Sequence, residues 1–114
     1  MEGRTTFRLQ DIIDAIDQID SLLQNKGYPD LVADKVAKAA FERFLEILSE
    51  AARHIPADMK AKRPDIQWRR ISDIGNHLRH AYHRVDSEIL WEIHAGGDLA
   101  TLRDAVTDFL KGNS

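Results

Sequence analysis

Apolar residues recur at three- and four-residue intervals along most of this chain. Leu9, Ile12, Ile13, Ile16, Ile19 and Leu23 form one such stripe, the spacing of a single helix face. The stretch NKGYPD interrupts it, with Gly27 as a helix stop and Pro29 as a breaker. Val36, Ala40, Phe41, Phe44, Leu48, Ala51 and Ala52 predict a second long helix that ends at or just before Pro56. ADMKAK has room for one short helical turn, and Pro64 breaks the pattern again. Asp65 is a candidate N-cap for a third long helix, running from near Ile66 to Arg84 or Val85. Asp86 can cap a short helix through SEILWEI, stopped by Gly96 and Gly97, and Asp98 can cap a last one, LATLRDAVTDFL. The tail KGNS is expected to fray. No β-alternation, internal repeat, low-complexity segment or long linker intervenes. The expected architecture is an all-α antiparallel bundle of three long and two shorter helices.

Bulk properties narrow the setting. The 114 residues suit one domain, 1–114, and 43% hydrophobic content suffices for a real core. Sixteen basic and nineteen acidic residues give a net charge of −3, a poor match to passive nucleic-acid binding. The balance is uneven, however. Lys60 to Arg84 holds seven basic residues against Asp65 and Asp73. That local excess can hold a phosphate on an acidic protein or form a solvated helix face. With no cysteine, disulfides, thiolate metal sites and a Cys nucleophile are excluded, and a reducing cytoplasm is the expected home. The start, MEGRTTFRLQD, has no apolar signal-peptide core. No apolar run approaches the roughly 18 residues of a membrane span.

Three of the five histidines fall within ISDIGNHLRHAYHRVD, residues 71–86. On a continuous helix turning about 100° per residue, Asn76, Arg79, His80 and His83 share one polar stripe. Ile71, Ile74, Leu78, Ala81 and Val85 share the core stripe, and Tyr82 sits at its edge. A metal site fits poorly, because His77, His80 and His83 spread over about 120° and match no strong zinc spacing. Phosphodiester cleavage fits better. An imidazole titrating near neutrality can move protons in both directions, and a guanidinium can hold a phosphate and stabilise charge developing on it. A solvent-facing stripe, or one buried in a dimer interface, accounts for the same pattern.

GNHLRHAYHRVDSEILWEI resembles the HepT-like family of HEPN domains, the toxin half of bacterial toxin–antitoxin pairs. FLEILSEAARHIPADMKAKRPDIQWRRISDIGN and RLQDIIDAIDQI extend the resemblance over roughly residues 4 to 112. It implies an all-α bundle that forms a homodimer, with metal-independent RNA cleavage at the dimer cleft and no cofactor. It further implies an MntA-like nucleotidyltransferase antitoxin that transfers AMP to the motif tyrosine. The motif histidine corresponds to His80 and the tyrosine to Tyr82. Arg79 and His80 are the implied catalytic pair, with Asn76 and His83 orienting substrate. The family's arginine ordinarily precedes the asparagine, where this chain has Gly75; Arg79 instead stands directly before His80. Two readings follow: a relocated arginine in a working nuclease, or a non-catalytic helical module that docks a nucleotidyltransferase. Glycine within a helix costs about 1 kcal/mol relative to alanine, so a close approach is expected at Gly75.

Other residues have plainer expectations. Trp68 and Trp91 are read as packing residues, Asp86 as a helix cap, and Glu46 and Glu50 as an exposed face within reach of the basic segment. His54 and His94 receive no role.

Overall fold

A computed structural model describes residues 3–112. Eight helical segments lie among them: α1 (Gly3–Leu23), α2 (Tyr28–Ala33), α3 (Lys35–Arg53), α4 (Ala57–Ala61), α5 (Trp68–Ser72), α6 (Ile74–Arg79), α7 (Arg84–Ala95) and α8 (Asp98–Leu110). The all-α bundle is the expected one. Its subdivision is finer than the hydrophobic pattern suggested. Asn113 and Ser114, the end of the tail expected to fray, lie outside the described residues.

The stripe from Leu9 to Leu23 is buried along α1, which packs on α3 and α8. Phe41, Leu45 and Leu48 meet it from α3, and Leu102, Val106 and Phe109 from α8. Most of the favourable burial energy resides in this three-helix contact. Pro29 does not end structure here. It occupies the first turn of α2, where a missing N–H costs nothing. Asp34 then caps α3, its Oδ1 accepting from the Ala37 N–H at 3.0 Å. Asp65 caps nothing. It pairs with Arg63 at 2.9 Å, and the helix it was expected to open starts instead at Trp68.

The predicted third long helix is interrupted twice, and α3 explains the first break. The buried Ser49 hydroxyl donates to the Ile71 carbonyl at 2.9 Å. The Arg53 guanidinium donates to the Ser72 carbonyl, at 2.9 Å from Nη2 and 3.3 Å from Nε. The Asn76 N–H turns to Asp73 O instead, at 3.0 Å. Side chains of α3 thus satisfy carbonyls that a continuous ladder would have used. The second break falls at His80, with φ −120° and ψ 21°. His83 is extended, at φ −82° and ψ 136°, and α7 starts after it. His80, Ala81, Tyr82 and His83 therefore form a turn, not a helical stripe.

Candidate functional site

The turn between α6 and α7 exposes three rings side by side. Tyr82 and His83 have centroids 4.2 Å apart, and His80 lies 6.2 Å from His83 and 6.5 Å from Tyr82. Tyr82 is 78% exposed, a high value for a tyrosine. Ala81 between them is buried and anchors the turn, while its carbonyl accepts from Lys38 Nζ at 3.4 Å.

The polar groups expected on one helical stripe occupy two settings. Asn76 and Arg79 remain on α6, where Arg79 donates to the Asn76 amide oxygen and Asn76 donates to Asp73. His80 and His83 sit on the turn beyond. Arg79 faces an open groove of about 640 Å³ between α1, α3 and α6. Tyr82 lines another groove, of about 630 Å³, with Tyr28, Pro29, Val32 and Arg84. Within one chain the turn that carries His80 separates them.

His77, set aside in the sequence, has a defined partner. Its Nδ1 lies 2.9 Å from Asp86 Oδ1, joining α6 to the first turn of α7. Asp86 is thus not the expected cap: His83 holds the cap position without a side-chain bond, and Asp86 lies within the first turn of α7. The spacing of nine residues gave no helical register in which to find the pair. Among the described residues no three His, Asp or Glu side chains group to hold a metal ion.

Three of the seven basic residues of the segment are paired with carboxylates. Arg63 meets Asp65, Asp104 and Asp108, Arg70 meets Asp98 at 3.3 Å, and Arg84 meets Glu88 at 2.6 Å. Lys60 lies 5.7 Å over the Trp68 ring, and burial pushes its ammonium below the ordinary range. Arg63 and Arg70 thus tie α5 and the segment before it to α8, while the Arg84 pair is internal to α7. Trp68 stacks on Phe109 with centroids 6.5 Å apart, and Trp91 packs against Tyr28 and His94, both as packing residues. Glu46 pairs with Arg43 and Glu50 with His54; neither takes a partner from the basic segment.

Nothing close-packed covers Gly75. A Cβ there would lie 3.6 Å from Arg53 Nη2, an ordinary contact. The expected tight approach is absent; an arginine from another helix lies beside the position instead.

Two exposed imidazoles and a phenol on one turn, with a guanidinium at the end of the helix before it, have the makings of an acid–base site. The family model of HepT-like ribonucleases matches residues 12–108. Over 84 residues the chain is 38% identical to "Probable ribonuclease HepT" of Thermococcus cleftensis, covering 74% of this chain and 76% of that protein. A protein of Methanocaldococcus jannaschii, named a "Putative RNase", is 33% identical over 84 residues, covering 74% of this chain and 69% of its own length. Another so named, from Caldanaerobacter subterraneus, is 30% identical over 84 residues, covering 74% and 75%. No solved structure matches. The chain belongs to the HepT-like ribonuclease family.

Proposed function

We propose that this protein is a metal-independent endoribonuclease and the toxin of a toxin–antitoxin pair. The observation that carries the reading is the exposed His80, directly after Arg79, at a turn inside the family match. His80 removes the proton from a ribose 2′-hydroxyl, or protonates the departing 5′-oxygen. The 2′-oxygen attacks phosphorus as the bond to the 5′-oxygen breaks, leaving a cyclic phosphate and a 5′-hydroxyl. Arg79 holds the scissile phosphate and stabilises its developing charge. Asn76, already bonded to Arg79, aims the guanidinium, and His83 orients substrate from across the turn.

A second copy of the chain completes the cleft. The separation of Arg79 and Tyr82 into different grooves within one chain supports a homodimeric site. The antitoxin is an MntA-like nucleotidyltransferase that transfers AMP to Tyr82, whose exposure leaves the phenol open to it. The added phosphate brings negative charge and bulk beside the cations that RNA needs. The protein acts in the cytoplasm; among the described residues no helix is long and apolar enough to cross a membrane.

Purified protein free of AMP is expected to cut RNA in chelator and to leave intact an RNA with 2′-deoxy sugars throughout. Equal cutting of both would refute the proton-transfer step. A second reading, a non-catalytic module that docks a nucleotidyltransferase, is favoured by glycine at position 75. Tight docking with no RNA cleavage would establish it.

A further inference from the structure

The groove between α1, α3 and α6 gathers Arg8, Arg43, Arg53 and Arg79 with Asp11, Glu46 and Glu50. Glu46 is paired with Arg43, while Glu50 keeps its charge beside the His54 ring, 3.2 Å from Nε2. Among the described residues Arg53 and Arg79 donate only to uncharged oxygens, those of Ser72 and Asn76. With Arg43 paired to Glu46, three guanidiniums face the groove against two carboxylates, Asp11 and Glu50. In a chain of net charge −3, such a local cation excess draws phosphate.

Arg53 is the best prepared of the three. Its two bonds to the Ser72 carbonyl fix the guanidinium plane, and a guanidinium carries five N–H donors in a rigid fork. The remaining donors are free for an anion. Position 75 decides where that fork can lie. With no side chain on Gly75, the Arg53 guanidinium sits beside the α6 backbone, 3.6 Å from where a Cβ would stand. A long side chain there would compete for the same space.

We propose that Arg53 is a phosphate-binding residue for the RNA backbone, and that Gly75 leaves room for it beside Arg79. The proposal rests on the ribonuclease reading and adds to it a contact from α3.

The test is anisotropy of a fluorescein-labelled single-stranded RNA, titrated at several salt concentrations with the His80→Ala chain so that the RNA stays whole. Adding Arg53→Ala is expected to weaken binding about tenfold. It should also flatten the slope of log affinity against log salt by about 0.7, the signature of one lost phosphate contact. Because Arg53 also holds the end of α5, Gly75→Glu serves as the second variant. It keeps Arg53 in the chain but places a carboxylate in contact with its guanidinium, and should weaken binding to a similar extent. Unchanged affinity and slope in both variants would overturn the proposal. RNA binding that depends on Arg53, in a protein that with His80 intact cuts no RNA, would reject the ribonuclease reading while the phosphate contact stands.

Discussion

His77 Nδ1 lies 2.9 Å from Asp86 Oδ1, and this one contact spans the turn that carries His80, Tyr82 and His83. It joins the end of α6 to the start of α7, so the exposed rings ride on a loop pinned at both sides. Ala81, buried beneath the turn, is a third anchor.

Breaking that pin should loosen the turn more than the bundle. His77→Ala is expected to cost about 1 kcal/mol of stability, the usual net worth of one hydrogen bond between partly exposed groups. A double-mutant cycle with Asp86→Ala should give a coupling of about 0.5–1.5 kcal/mol. Denaturant midpoints for the four proteins would check it, and strictly additive losses would show that the two side chains do not act together.

Ser49 should matter more than its size suggests. Ser49→Ala removes a hydroxyl bonded to the Ile71 carbonyl in a buried site. Leaving that acceptor without a donor is expected to cost about 1–3 kcal/mol. If the carbonyl is instead recaptured by a backbone N–H, α5 and α6 would fuse, and the loss in denaturant stability would be close to zero.

These two contacts mark the boundary of what was legible. The stripes of α1 and α3 could be read directly, because each buries one face against the rest of the bundle and repeats at helical spacing; Val36 alone of the named positions is exposed, with Ala37 buried beside it. The breaks at Asp73 and His80 could not. Neither site holds a proline, and Gly75 lies inside α6, so local signals favoured continuation. The first break is imposed by Ser49 and Arg53, more than eighteen residues away. His80 and His83 were therefore placed on a helical stripe that does not exist, although both remain beside Tyr82. The role of His77 was missed for the same reason: its partner lies across a turn that the pattern did not reveal. Arg53 escaped notice because nothing in the spacing of α3 links it to position 75.

Stability should fall in mild acid through His94. Its ring packs against Trp91, at 5.3 Å, and Phe41, at 6.1 Å. Burial holds its imidazole below the ordinary value of 6.5, with Asp20 opposing. As pH drops below that ordinary value, the unfolded chain takes up the proton first. Stability present above it is then lost until pH passes the depressed folded value. His94→Gln should make the melting temperature less sensitive between about pH 7 and 5. An unaltered pH profile would remove His94 from the explanation.

Tyr82→Phe separates modification from chemistry. The phenol is the proposed AMP acceptor and takes no part in proton transfer. The variant should keep cutting RNA at a rate within about threefold of the parent, since no reacting group is lost. Intact mass after co-expression with the nucleotidyltransferase should show no added AMP. An AMP adduct on the variant would move the acceptor elsewhere.

The most direct measurement is single-turnover cleavage of a labelled RNA in chelator by the AMP-free protein and its His80→Ala variant. Loss of a positioned acid–base group should slow cleavage by about 100-fold or more. Equal rates for the two proteins, or a parent whose cleavage stops when metal is chelated, would contradict a metal-independent site built on His80.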